Sequence, residues 1–294
     1  MRLRRRRKRR ALMSSRQRVG AVAVVMIACA IAVSASEKKE FNYTVGPKAS
    51  ITINNQFGPV SVKPSTANQV IVTAILQSNK VEVDDSKIGD RVELKSHLLP
   101  GASPDNARVE YEVLVPADAS VSMHSTNGPL RAEQLHGDLT LEGDTATMEV
   151  HDVSDSHVHV NSLNGPITLT NIHNGHVEIS SVGGEVVLNS VSGPLVSVTS
   201  TSGKIHYDGD FGTGGDYKLT SHTGDIEAII PADASFDVIA KSMRGDVQND
   251  FPLQPKKHIT FVPEKGRSFV GTAGKAASSV LLRTVSGKIR LKKR

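Results

Sequence analysis

Histidine is the residue type whose spacing in this chain could support chemistry. His157 and His159 are two positions apart, so on a strand they share a face. His176 follows His157 by one repeat of the pattern described below, which would set the two imidazoles side by side on adjacent strands, pointing outward. Two imidazoles so placed can begin a metal site, but a tetrahedral site needs a third and a fourth ligand. The next member of the column is Leu195, the nearby acid is Glu178, and a solvated polar face accounts for these residues equally well. No metal ligand is assigned.

Hydrolytic chemistry finds less support. No G-x-S-x-G elbow is present, and the serines fall at turn positions, where their role is backbone geometry. Enzymes acting on polysaccharides need clustered carboxylates and aromatic platforms. This chain has no Trp and four Tyr, and its acids are dispersed along the turns. Gly214-Gly215-Asp216 occurs once, without the periodicity of a calcium-binding roll. There is no phosphate loop, dinucleotide fingerprint or basic-aromatic surface. No catalytic or cofactor-binding residue is assigned, and the expected cofactor set is empty.

The elements that would carry these residues follow a counted period. Gly128, Gly165, Gly184, Gly203, Gly224, Gly245 and Gly287 each stand three residues after a Ser or Thr, with central steps of 19, 19, 21 and 21 residues. Met148, Ile167, Val186, Ile205, Ile226 and Val247 form one apolar column, and Val150, Leu169, Leu188 and Tyr207 the next. Val153, Ile172 and Val191 form a third, followed by Val158, Val177 and Val196 and by Val160, Ile179 and Val198. A unit holding two strands of about five residues cannot bury its own apolar side, so it must stack on its neighbours. The expected fold is all-β: a β-solenoid, parallel β-helix-like, with coils of ~19–21 residues and glycines supplying positive φ at the corners. Thr168, Thr170, Glu178, Asn189, Ser197 and Thr199 should point outward. The identical pentapeptides Pro116-Ala117-Asp118-Ala119-Ser120 and Pro231-Ala232-Asp233-Ala234-Ser235 should mark one kind of wider bend, since Pro interrupts a strand ladder.

Four regions are expected. Residues 1–35 read as a signal peptide: a basic run from Arg4 to Arg10, an apolar run from Val19 to Val33, and a small-residue site ending at Ala35. Residues 36–124 form an N-terminal β portion, 125–250 the regular coils, and 251–294 an irregular loop with a last coil that would close the stack. The alternative for the leader is an anchor through residues 19–35. A lipoprotein would need acylation of Cys29, whose preceding Met26-Ile27-Ala28 is a poor box. Met13 is an alternative start. The formal charge of +5 comes from ten Lys or Arg in the first 35 residues; without them 25 basic residues face 30 acidic ones, which removes the basis for nucleic-acid binding.

The strands around Asn54-Asn55-Gln56-Phe57-Gly58-Pro59-Val60 resemble the bacterial "putative adhesin" domain, a widespread family of unknown function. So do units such as Ser200-Thr201-Ser202-Gly203-Lys204-Ile205 and Ser221-His222-Thr223-Gly224-Asp225-Ile226, and the two Pro-Ala-Asp-Ala-Ser bends. The resemblance covers most of Phe41 to Leu291 and implies an exported or membrane-tethered β-solenoid with no established catalytic residues. The expected function is a non-enzymatic protein of the periplasm, cell surface or exterior that presents polar faces to a surface protein or polysaccharide. The alternatives are a scaffold that self-associates by stacking coils in trans and a β-helix enzyme acting on polysaccharide.

Overall fold

The computed structural model describes residues 36–256 and 262–294. The signal peptide, Cys29 and the choice of start lie outside the described residues. The first strands are β1 (Glu37–Thr44), β2 (Ser50–Phe57), β3 (Val60–Pro64), β4 (Gln69–Leu76), β5 (Val81–Ile88), β6 (Arg91–Leu98) and β7 (Val109–Val115). The regular region holds β8 (Ser120–Asn127), β9 (Leu130–Glu133), β10 (Leu139–Gly143), β11 (Met148–Ser154), β12 (His157–Ser162), β13 (Ile167–His173), β14 (His176–Ser181), β15 (Val186–Val191), β16 (Leu195–Ser200) and β17 (Ile205–Asp208). Then come β18 (Asp216–Ser221), β19 (Ile226–Ile230), β20 (Phe236–Ser242), β21 (Val247–Asn249), β22 (Ser268–Ala273), β23 (Ser279–Thr284) and β24 (Ile289–Lys293). No helix occurs among the described residues, so none there is long and apolar enough to cross a membrane.

Two sheets of twelve strands result. Sheet A runs β1-β4-β7-β3-β9-β11-β13-β15-β17-β19-β24-β21, and sheet B runs β22-β20-β23-β18-β16-β14-β12-β10-β8-β2-β6-β5. Two strands in each sheet, β1 and β4 in A and β5 and β22 in B, are antiparallel additions at the ends; the others pair in parallel. Each coil gives one strand to each sheet. The alternating apolar residues face inward, where Ile167, Val186, Ile205 and Ile226 are fully buried in one ladder and Val158, Val177 and Val196 in the opposite one. Burying each such side chain contributes ~1.5–3 kcal/mol, which a single coil could not collect alone. The five expected columns are in register, and the fold is the expected β-solenoid.

Of the seven corner glycines Gly128 alone has the expected positive φ (152°), and the others do a different job. Gly165, Gly184, Gly203 and Gly224 are absent from the positive-φ residues. A Cβ at these positions would lie 1.8–2.1 Å from a carbonyl oxygen of the coil before, so close stacking of backbones, not turn conformation, excludes a side chain. Positive φ outside glycine falls on Asp152 (55°), Asn171 (57°) and Ser190 (54°), inside β11, β13 and β15 where the ladder skips one residue, and at the corner that follows on Asp155 (54°) and Asn174 (52°). Asn and Asp tolerate that region. The Asn171 amide donates to Asp152 Oδ1 at 2.9 Å, so the column also bonds along the stack.

The Ser of each Ser-x-x-Gly turn points inward. Ser162, Ser181 and Ser200 are buried and each donates from Oγ to the carbonyl of the Gly three residues on, at 2.7, 3.0 and 3.0 Å. At the N-terminal end Asn55 takes the same position and donates to Gly58 O and Val109 O, while Ser96 joins Asn55 to Tyr111. Burial pushes the Tyr111 hydroxyl pKa up to about 12, against the opposing effect of its hydrogen bond with Ser96.

The strand order departs from chain order at both ends. The outermost parallel coil at the start is β6/β7, with β2/β3 inside it. At the other end β23/β24 lies between β18/β19 and β20/β21. The last coil therefore does not close the stack, as the sequence suggested; it fills a slot inside it. The end is covered instead by β22, a strand within the segment expected to be irregular. The two Pro-Ala-Asp-Ala-Ser bends make these reversals possible. The first carries the chain from β7 past the β2/β3 coil to β8, and the second from β19 past the β23/β24 coil to β20. Both form the same turn, with Ala119 N donating to Pro116 O at 3.0 Å and Ala234 N to Pro231 O at 3.1 Å. Each then bonds to the residue that opens the skipped coil: Ser120 N to Ala49 O, and Asp237 N to Ser278 O. A two-coil step spans roughly 10 Å, which an ordinary corner of the repeat does not cover.

Candidate functional site

The candidate site lies on the outer face of sheet B. The parallel register sets His157 beside His176 and His159 beside Glu178. The His157 and His176 rings meet edge to face, with centroids 4.9 Å apart and planes at 63°. Glu178 lies between His176 and His159, Oε1 3.6 Å from His176 Nε2 and Oε2 3.6 Å from His159 Nδ1. Sequence reasoning thus placed His157, His176 and Glu178 together correctly, while His159 contributes more than was drawn from it. Asp138 Oδ1 accepts from the His157 backbone N–H at 3.3 Å, and Glu142 lies 3.5 Å from the Asn161 amide. Among the described residues no group of three or more His, Cys, Asp or Glu is arranged to hold a metal ion. These side chains are about half exposed, where an ion pair is worth ~0–1 kcal/mol.

Beside this cluster a trough runs parallel to the stack axis along the strand ends of β8 to β16, with a volume of about 500 Å³. It arises from the alternation itself. The ladder residues Gly143, Ser162 and Ser181 point inward and form the floor, so the residues before and after them rise as two walls. One wall is His124, Glu142, Asn161, Ser180 and Thr199, in direct register on five successive strands. The other is the first turn residue of each coil, Asp144, Leu163, Val182 and Thr201. Leu163 and Val182 are 48% and 45% exposed, high for aliphatic side chains. Sequence reasoning missed Glu142, because the corner of its coil reads Gly143-Asp144-Thr145-Ala146 and drops out of the Ser-x-x-Gly count, and with that coil uncounted it missed that His124, just before the counted turn at Ser125, stands beside it. The signal was available: the step from Gly128 to Gly165 is about twice the period.

The outer face of sheet A is built differently, from paired charges. Lys63 Nζ lies 3.2 Å from Glu133, and Arg131 bridges Glu133 and Glu149. At the other end Lys292 Nζ lies 2.7 Å from Glu227, which His206 also contacts, and Arg294 pairs with Asp208. The hydrogen bond and charge of Lys292 hold the Glu227 carboxyl below the usual carboxylate range. The basic C-terminal residues are thus tied to the coil beneath them.

The fold and this site define a class: a two-sheet parallel β-solenoid with an aliphatic interior, whose outer faces carry its polar chemistry. The family model for Toastrack DUF4097 matches residues 49–292, and the chain belongs to that family, a domain family of unknown function. It is the family to which the sequence resemblance pointed. No curated protein is significantly similar in sequence. One solved structure, described as a "putative cell adhesion protein" from Clostridium sporogenes, is 14% identical and covers 88% of this chain and 100% of its own. Its TM-score is 0.29, too low for any detail to be carried across.

Proposed function

We propose that the protein is a non-enzymatic component of the bacterial envelope, exported by its leader, that binds a partner through the outer face of sheet B. The observation that supports this most directly is the contrast between the faces. On sheet A the acids Glu133, Glu149 and Glu227 are held by Lys or Arg and a smaller groove lies along β3, β4 and β7, whereas sheet B carries, beside its own His–Glu pairs, a longer trough of short polar and exposed aliphatic side chains in register over five strands. A surface of that kind positions a ligand but offers no nucleophile with an adjacent base. The N-terminal end of the stack weighs against a self-stacking scaffold. There sheet A ends in β1, with Glu37, Lys38, Lys39 and Glu40, and sheet B in β5, with Asp84, Asp85 and Lys87; charged antiparallel edges discourage strand addition. At the other end sheet B closes with antiparallel β22 and sheet A with the short parallel strand β21.

The test uses purified residues 36–294. The protein should co-sediment saturably with envelope preparations of the producing cell, stay monomeric at high concentration, and turn over nothing on a panel of glycan and ester substrates. Turnover abolished by mutating specific acids would overturn the proposal, as would concentration-dependent filaments.

A further inference from the structure

We infer that the trough between β8 and β16 binds an extended polysaccharide free of acidic groups; this rests on the envelope-binding reading above and names its ligand. Three features of the trough select this occupant.

The first is the repeat. Every coil presents one hydrogen-bonding side chain on one wall and one turn residue on the other, at intervals of ~4.8 Å. Five strands give a lane roughly 19 Å long. A ligand that uses such a lane repeats at about the same interval, as the sugar units of an extended glycan do. An extended peptide advances ~3.3 Å per residue and falls out of step within two coils. Nor can a peptide add as a strand, since the floor lies inside a sheet whose strands are paired on both sides. A helix lying in the groove would need a line of apolar anchor pockets, and the walls offer only Leu163 and Val182.

The second is the pairing of the walls. A pyranose ring shows C–H groups on its faces and hydroxyls around its rim. Leu163 and Val182 offer apolar contact to the first, while Asn161, Ser180 and Thr199 offer donors and acceptors to the second. Sugar sites often use an aromatic platform; here two neighbouring aliphatic side chains present the apolar patch.

The third is charge. No Lys or Arg lines the trough, and Glu142 and Asp144 stand on opposite walls. A polyanion, whether nucleic acid, uronic-acid polymer or phosphate polymer, meets the carboxylates of Glu142 and Asp144 and finds no Lys or Arg to pair with, the one imidazole of the wall, His124, lying 3.9 Å from Glu142. A neutral or amine-bearing chain meets neither obstacle.

Isothermal titration tests the assignment with three probes: a cello- or chito-oligosaccharide long enough to span the trough, its disaccharide, and an alginate oligomer of the long length. The long neutral or amine-bearing oligomer should bind, its disaccharide about tenfold or more weaker, and alginate not at all. Val182→Glu and Asn161→Ala should each weaken the long oligomer about tenfold with the melting temperature unchanged, and Thr170→Glu on sheet A should leave binding intact. Asn161→Ala keeps the test decisive if Val182→Glu disturbs the corner. The assignment falls if alginate binds best, if neither long oligomer binds, or if the trough variants bind like wild type. If the glycans fail while envelope co-sedimentation persists, the ligand named here is wrong and the broader reading stands.

Discussion

A chain ending at Ser278 should lose the folded structure of β20, β21 and β22 as well as the coil that was cut away. The deleted strands β23 and β24 bury Val280, Leu282, Ile289 and Leu291. Each is worth ~1.5–3 kcal/mol, and together they rival the ~5–15 kcal/mol by which a whole domain is stable. On one side they pair with β18 and β19, on the other with β20 and β21, so their removal separates two parts of the stack and opens parallel edges on both. Limited proteolysis should cut within β20, β21 and β22 far faster than in the full chain, and the truncated protein should aggregate. Had the last coil merely capped the stack, β20, β21 and β22 would stay protected; that outcome would refute the inserted order.

Gly184→Ala should destabilise the protein by about 3 kcal/mol, the upper range for forced overpacking. The new Cβ would lie 1.9 Å from Gly165 O and 2.6 Å from Gly165 C, and the obstacle is backbone held by ladders on both sides. Gly183→Ala is the control. Its Cβ would meet only the end of the Asn164 side chain at 2.6 Å, which can rotate away, so the expected change stays within ~0.5 kcal/mol. Denaturant melts of the two variants separate the explanations. Equal melts would mean that the coils are not packed backbone on backbone at this corner.

Much of the fold was legible because the repeat imposes one local rule many times. The column Met148, Ile167, Val186, Ile205 needs nothing beyond the period of the sequence. What was hidden depends on order between distant segments. Val247 matches Ile226 in pattern, yet Ile289 stands between them, since nothing local to any of the three records which coil arrives last. The two Pro-Ala-Asp-Ala-Ser bends were the trace of that reversal, visible as a recurrence but not as a two-coil step. β22 was missed because Ser268-Phe269-Val270-Gly271-Thr272-Ala273 lies among Pro and Gly and pairs antiparallel, outside the period. Of the site, the pairing of His157 with His176 followed from the period alone. The trough did not, because it is a property of relief: its walls come from strand ends and turns that look ordinary one coil at a time.

The claim that function resides on the outer face of sheet B is tested most directly by moving one bulky charge between the two faces. Ser180→Arg lies on the wall of the trough, and Thr170→Arg lies on the outer face of sheet A. Both variants should melt like wild type, since both side chains point to solvent. Co-sedimentation with envelopes should then be lost for Ser180→Arg and kept for Thr170→Arg. Loss with Thr170→Arg, or undiminished binding by Ser180→Arg, would contradict the account.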